Sequence, residues 1–135
     1  MTSPLKKIAV VAPASRVAPE TPEKIKALAA TLFGDRAPEI HFHPQSFKSS
    51  GHFAGTDAER SAAFLEAAND AAFDAVWFGR GGYGSGRLDD SLYAQLNDSA
   101  RRKTYLGYSD LGFVLARLYA AKIGKPAHGP MPSDI

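Results

Sequence analysis

The segment of residues 105–110 carries a serine in a position suited to nucleophilic attack. Ser109 follows a short apolar run typical of a buried strand and precedes an apolar helical pattern. At such a corner the chain turns sharply and exposes the serine hydroxyl above the carboxyl edge of the sheet. Gly107 would keep side-chain bulk out of this turn. The segment therefore predicts a serine nucleophile.

The backbone after Ser109 is suited to stabilising negative charge. The N–H of Asp110 lies in the first turn of the predicted helix, where free N–H groups and the helix dipole favour an oxyanion. The nucleophile-elbow pattern G-x-S-x-G is met only in part, because Leu111 replaces the last glycine and Gly112 comes one position late. On spacing alone, a serine that merely caps the helix remains the alternative.

A second candidate site is the glycine-rich loop of residues 79–86, which has five glycines in eight residues. It follows another predicted strand, at the sheet edge where open α/β sheets bind ligands, and glycines let backbone N–H groups approach a ligand closely. Residues 79–84 also match G-x-G-x-x-G, so a nucleotide- or dinucleotide-binding module is an alternative function. That fingerprint should open a helix at once and have an acidic partner about 20 residues on.

Four further residues are candidate substrate contacts: Arg80, Gly81 and Tyr83 in the loop, and His128 at the end of a last strand. Arg80 is either a partner for a substrate carboxylate or a surface charge. His128 is a base for Ser109, a ligand contact or a polar strand end.

Composition excludes several classes of protein and site. The chain has 135 residues, the size of one domain, with a formal charge of +2 and no cysteine, which excludes disulfides and thiolate chemistry.

The basic cluster of residues 101–103 predicts a solvated loop, so we expect no nucleic-acid partner. His41, His43 and His52 lack an ordered frame, so we expect no metal and no cofactor. Neither a signal peptide nor a membrane span of about 20 apolar residues is evident, which predicts a cytoplasmic protein.

Apolar runs alternate with amphipathic segments along the chain. The predicted strands cover residues 8–12, 39–42, 75–78 and 104–107, with a fifth at 126–128, and the predicted helices cover 21–33, 56–68, 88–96 and 110–122. In the first helix, Ile25, Leu28, Ala29 and Leu32 form one apolar face. Short connections between such elements predict an α/β fold with an open, mostly parallel sheet sandwiched by helices.

Taken in order, these motifs resemble the LD-carboxypeptidases and their relatives that cleave the peptide-nucleotide antibiotic microcin C. The resemblance begins with the first strand and residues 12–15, and continues through residues 80–85, 107–110 and 128–131. It implies a fold similar to class I glutamine amidotransferases, with flavodoxin-like layering. Residues 1–135 would form a single N-terminal domain, and the family's C-terminal domain would be absent from this chain.

The resemblance also implies a Ser-Glu-His triad. Ser109 matches the nucleophile, and the backbone N–H groups of Gly82 and Asp110 match the oxyanion hole. The Glu and His would come from the C-terminal domain, so the isolated domain should be inactive.

The implied reaction removes D-alanine from a murein tetrapeptide, at the bond after the L-centre of diaminopimelate or lysine. It serves cytoplasmic peptidoglycan recycling, in enzymes that act as homodimers. The antibiotic as substrate and a non-catalytic homologue remain alternatives.

Overall fold

A five-stranded parallel sheet forms the centre of the protein. The structure is a computed structural model, and it describes residues 5–135. The strands are β1 (Lys7–Val11), β2 (Glu39–Phe42), β3 (Ala75–Phe78), β4 (Thr104–Gly107) and β5 (Lys125–His128). Their order is β2-β1-β3-β4-β5, and every pairing is parallel. The predicted α/β fold is confirmed. The start of the polar segment before β1, residues 1–4, lies outside the described residues.

Helices cover the two faces of the sheet unequally. They are α1 (Thr21–Phe33), α2 (Asp57–Asn69), α3 (Asp98–Arg102) and α4 (Gly112–Ala120). The main core lies between the sheet and α2, α3 and α4, where the ring of Phe64 stacks on Phe78 and Tyr105 at 5.8 and 6.1 Å. On the other face, Ile25 and Ala29 of α1 pack against β1 and β2. The strand order reverses after β2, because the chain crosses back past β1 to form β3, and this places α1 on one face and the later helices on the other.

Helix α1 does not cover the part of its sheet face that β3 and β4 form. Trp77 and Leu106 line an apolar groove of about 390 Å³ together with Leu28 and Leu32. These two leucines are 37% and 63% exposed. The predicted apolar face of α1 is therefore only partly buried, because the helix lies beside the groove and covers only two strands.

Local capping explains where α2 begins. The Thr56 hydroxyl accepts a hydrogen bond from the Glu59 N–H, and the Glu59 carboxylate accepts one from the Thr56 N–H, which is the capping box typical of this spacing. A hydrogen bond from the Lys48 ammonium and, to a smaller extent, one from the Thr56 N–H lower the pKa of Glu59 to about 2. α1 covers the predicted residues 21–33, with Glu20 at its N-cap position and no side-chain hydrogen bond at the cap.

The helix predicted over residues 88–96 is wrong. A 3-10 helix spans Asp90–Gln95, and α3 follows it. The Asp89 side chain accepts a hydrogen bond from the Ser91 N–H, and the Asn97 side chain accepts one from the Ala100 N–H. Such side chains compete with helical hydrogen bonds and divide the segment into short turns.

The basic cluster of residues 101–103 is not the predicted loop. Arg101 and Arg102 end α3, whereas Lys103 is only 2% exposed. Burial lowers the pKa of Lys103. Among the described residues, no helix is long and apolar enough to cross a membrane.

Candidate functional site

Ser109 lies at the predicted corner between β4 and the helical segment that follows it. Its φ of 57° is in the left-handed region, and its side chain is exposed. A serine in this conformation carries backbone strain of about 1–3 kcal/mol, which the surrounding fold must hold. The structure confirms the sharp strand-to-helix corner that the sequence predicts at Ser109. One detail is different: a 3-10 turn spans Ser109–Leu111, so α4 begins at Gly112 and ends at Ala120 instead of Lys122.

Gly107 permits this corner for a steric reason. A Cβ atom at this position would lie 2.9 Å from Cδ2 of Phe78 and 3.3 Å from Cβ of Leu111. Both neighbours are buried in the core. The absence of a side chain therefore allows the end of β4 to pack against β3 while the chain turns.

The glycine loop contacts the nucleophile candidate directly. A Cβ built on Gly81 would lie 3.4 Å from Cβ and 3.5 Å from Oγ of Ser109. Gly82 has a φ of 106°, and a Cβ there would collide with the Ser15 hydroxyl. Gly82 therefore allows both a conformation and a close approach that other residues would not tolerate. The predicted juxtaposition of the loop and Ser109 is confirmed.

Two hydrogen bonds join the glycine loop to the residue after Ser109. The Ser85 N–H donates to a carboxylate oxygen of Asp110 at 2.9 Å, and the Ser85 hydroxyl donates to the Asp110 carbonyl at 2.5 Å. These two hydrogen bonds fix the position of the loop that contains Gly82 relative to Asp110, and the N–H groups of these two residues are the predicted oxyanion donors.

Arg60 organises the surrounding loops, and sequence reasoning missed it. Its side chain is fully buried. The guanidinium donates hydrogen bonds to the carbonyls of Pro13, Gly55 and Gly84 at 2.8, 2.9 and 3.1 Å, and to the Asp57 carboxylate at 2.6 Å. The three carbonyls belong to three different loops at the carboxyl edge. A sequence signal existed, because Arg60 shares the helical face of the α2 core residues at positions 63, 64 and 67.

The predicted substrate contacts are placed in different surroundings. Arg80 is exposed and donates to the Arg16 carbonyl at 3.3 Å. Tyr83 is 55% exposed, and its ring lies 5.8 Å from that of Phe53. The ring of His128 packs edge-on to Tyr108 at 5.6 Å. Within residues 5–135, no hydrogen bond joins His128 to Ser109, so the roles of these residues stay predictions.

Among the described residues, neither the dinucleotide fingerprint nor the histidines have the supporting elements that such sites require. The glycine loop leads into a single 3-10 turn, Ser85–Arg87, so the helix that a dinucleotide fingerprint opens is missing there. His43 pairs with Glu66 at 3.0 Å, whereas His41 lies 3.6 Å from Glu39. Among the described residues, no cluster of three or more His, Cys, Asp or Glu is arranged to hold a metal ion.

A pocket of about 480 Å³ opens beside Ser109 and was not predicted. Phe113, Ala116 and Arg117 contribute one wall from α4. Their spacing of three and four residues puts them on the helix face opposite the core residues at positions 114, 115 and 118. This second face, with its large aromatic and basic side chains, was the signal in the sequence.

Comparison with known families identifies the family to which this fold belongs. The family model of the LD-carboxypeptidase N-terminal domain matches residues 8–129, which include both the glycine loop and Ser109. The chain belongs to the LD-carboxypeptidase family. A curated relative, "Putative carboxypeptidase SCO6489" of Streptomyces coelicolor, is 37% identical over 136 residues, covering 98% of this chain and 43% of that protein.

Solved structures of other LD-carboxypeptidase-like proteins have the same fold. The crystal structure of muramoyltetrapeptide carboxypeptidase from Oxalobacter formigenes is 29% identical, with a TM-score of 0.71 over 94% of this chain and 40% of that one. An MccF-like protein from Bacillus anthracis has a TM-score of 0.72 at 22% identity, over 98% and 40% of the two chains. The present chain thus spans less than half the length of these relatives, and it matches the N-terminal part of a family of peptidases.

Proposed function

We propose that this chain is the nucleophile-bearing part of a serine carboxypeptidase that acts in cytoplasmic peptidoglycan recycling. The reaction is hydrolysis of the L-D peptide bond before the terminal D-alanine of a murein tetrapeptide. The observation that carries the proposal is the exposed Ser109, held at a φ of 57° beside Gly81 in an LD-carboxypeptidase domain. A serine that only capped a helix would not need this strained conformation.

The first half of the reaction forms an acyl-enzyme. The Ser109 oxygen attacks the scissile carbonyl carbon, and its proton passes to a histidine, which then protonates the departing amine of D-alanine. Water next attacks the ester, giving up a proton to the histidine, and the proton returns to the Ser109 oxygen as the peptide acid leaves. The exposed position of Ser109 gives the substrate access to its hydroxyl.

Charge on the carbonyl oxygen is stabilised by the backbone N–H groups of Gly82 and Asp110. Ser85 keeps the two segments together through its hydrogen bonds to Asp110. Loss of one such donor typically raises the barrier by about 3–4 kcal/mol, since the donors need no reorganisation during the reaction. Arg80, Gly81, Tyr83 and His128 are the proposed substrate contacts.

The histidine and the glutamate that orients it belong to a C-terminal domain in this proposal. The support is that the Streptomyces coelicolor and Oxalobacter formigenes relatives extend well beyond the matched region. Residues 1–135 alone should then release no D-alanine at a useful rate, because serine is a weak nucleophile without a positioned base. The longer protein is proposed to act as a homodimer.

The decisive experiment uses the longer protein that contains this chain. Ser109→Ala should abolish D-alanine release from a murein tetrapeptide while substrate binding is largely kept, and a fluorophosphonate probe should label only the unsubstituted protein. Ser99→Ala, a serine in α3 at the opposite end of β4 from Ser109, is the matched control and should keep full activity. Retained turnover in Ser109→Ala would remove the nucleophile assignment.

Two other ligands test the alternatives. The structural neighbour MccF has been solved with aspartyl sulfamoyl adenosine, so cleavage of that compound in preference to the tetrapeptide would change the proposed substrate. Saturable binding of NAD, without hydrolysis of either compound, would favour the dinucleotide-binding alternative.

A further inference from the structure

Two charged side chains, Asp90 and Arg117, line the pocket that contains Ser109. They form an ion pair, and the guanidinium carbon of Arg117 lies 4.7 Å from the centroid of the Tyr93 ring. Burial raises the pKa of Tyr93 to about 12, so the ring beneath the guanidinium is uncharged at neutral pH. The pocket therefore presents one positive and one negative group side by side.

This ion pair remains accessible to a ligand. The side chain of Arg117 is 48% exposed, and that of Asp90 is 79% exposed. Exposed pairs of this kind contribute little to stability, because water and salt screen them. The side chains of Asp90 and Arg117 can therefore exchange their ion pair for contacts with a charged ligand at little cost in folding stability.

The wall near this pair is mainly apolar. Leu88 and Tyr93 contribute to it from the segment after the glycine loop, and Phe113 and Ala116 from α4. Such a surface favours methylene groups over charged ones. The complementary ligand is a short aliphatic chain with an ammonium and a carboxylate at its far end.

We infer that this pocket receives the side chain on the acyl side of the scissile bond, and that Asp90 and Arg117 bind an ammonium and a carboxylate on its last carbon. The inference rests on the proposed function, which places the acyl carbon at Ser109. meso-Diaminopimelate ends in such a zwitterionic carbon, whereas lysine ends in an ammonium alone. The pair thus selects diaminopimelate peptides over lysine peptides.

The distances allow this assignment. Arg117 follows Ser109 by eight residues, through a 3-10 turn and then α4, which corresponds to roughly 13–14 Å along the segment. An arginine side chain on a helix leans toward the N-terminus and extends about 6 Å. An extended diaminopimelate residue reaches roughly 6 Å from its carbonyl carbon to the zwitterionic carbon. The two lengths and a hydrogen bond of about 3 Å between them together cover the separation.

Arg80, the basic residue singled out in the sequence, does not line this pocket. Its guanidinium donates to the Arg16 carbonyl. Within the pocket, the positive group available to a carboxylate is therefore Arg117, and its substitution gives the more specific test.

A binding experiment can use residues 1–135, which include Ser109, Asp90 and Arg117 of the pocket. Isotope-labelled protein is titrated with the tripeptide L-alanyl-γ-D-glutamyl-meso-diaminopimelate and with its lysine counterpart, and the amide shifts around Ser109 are followed by NMR. We expect millimolar-range affinity, with the diaminopimelate peptide about tenfold tighter because it adds a charge-assisted hydrogen bond.

Substitutions assign this preference to the pair. Arg117→Gln should abolish the tenfold difference and leave the lysine peptide unaffected, and Asp90→Asn should weaken the lysine peptide. Lys122→Gln is the control, an exposed basic residue just beyond α4 and outside the pocket. Equal affinities in the unsubstituted chain, a preference that survives Arg117→Gln, or no shifts around the pocket would each overturn the inference.

Kinetics in the longer protein separate this inference from the proposed function. Equal kcat/KM values for diaminopimelate and lysine tetrapeptides would contradict the pocket assignment and leave Ser109 as the nucleophile. Failure to cleave either peptide, together with no fluorophosphonate labelling of Ser109, would refute the proposed function, while the NMR titration still decides what the pocket binds.

Discussion

Replacement of Arg60 by methionine should destabilise this domain more than any surface substitution. The change keeps a long side chain but removes hydrogen bonds to the buried loop carbonyls of Pro13, Gly55 and Gly84. The guanidinium also lies 4.7 Å from the centroid of the Phe53 ring, a contact that a thioether replaces only in part.

The size of the effect follows from the carbonyls left behind. A buried acceptor without a partner costs about 1–3 kcal/mol, and loss of one member of a buried charged network typically costs about 3–5 kcal/mol. We expect Arg60→Met to lower the free energy of unfolding by about 3–5 kcal/mol. That is a large fraction of the roughly 5–15 kcal/mol of a typical domain. Arg60→Lys should cost less, since an ammonium reaches some of these acceptors but lacks the planar fork.

Urea unfolding provides the measurement, with the fluorescence of Trp77, the single tryptophan, and far-UV circular dichroism as probes. Arg87→Met is the matched control, because Arg87 also pairs with Asp57 but its side chain is 50% exposed; it should cost less than about 1 kcal/mol. A loss for Arg60→Met no greater than that for Arg87→Met would refute the reasoning.

Three further predictions concern the backbone and the response to acid. Ser109→Gly should raise the free energy of unfolding by about 0.5–1 kcal/mol in urea titrations, because glycine tolerates the positive φ; a loss would show that the corner is unstrained. Gly124→Ala should lower the melting temperature, with a cost of about 1–3 kcal/mol, because its Cβ would lie 2.5 Å from the Lys103 carbonyl oxygen at a φ of 66°; an unchanged melting temperature would contradict the packing. Folding lowers the pKa of Glu59 from 4.5 to about 2, so the ionised carboxylate stabilises the fold fully above pH 4.5, and this contribution is lost as the pH falls toward 2. Glu59→Gln should therefore make the free energy of unfolding less dependent on pH between 4.5 and 2. An unchanged pH dependence in this range would contradict the pairing of Glu59 with Lys48.

Local sequence features were sufficient to predict the strand-to-helix corner at Ser109. A short apolar run, Gly107, Ser109 and an amphipathic helix are adjacent in the chain, so the turn that they form depends on neighbouring residues. The steric need for Gly107 is an exception in part, because the atoms that exclude a Cβ include those of Phe78 on the next strand. The capping box of α2 was predictable for the same reason of short range.

Failures of prediction occurred where local and tertiary preferences compete. The periodicity of residues 88–96 indicated a helix, yet hydrogen bonds from the side chains of Asp89 and Asn97 divide the segment into shorter turns. Leu28 and Leu32 match the apolar face of α1, but the sheet area available to that helix ends at β1 and β2. Hydrophobic periodicity reports which face is apolar and does not report what covers it.

The sequence by itself determined the α/β class, the parallel strands and the approach of two candidate loops to one sheet edge, because apolar periodicity and turn residues act within a few positions. Only the tertiary structure decided which polar residues support the site. Arg60 is satisfied by carbonyls 47 and 24 residues away along the chain, and Ser85 reaches Asp110 across 25 residues. A buried polar side chain is stable only where such partners converge, and that convergence is a property of the packed sheet and loops.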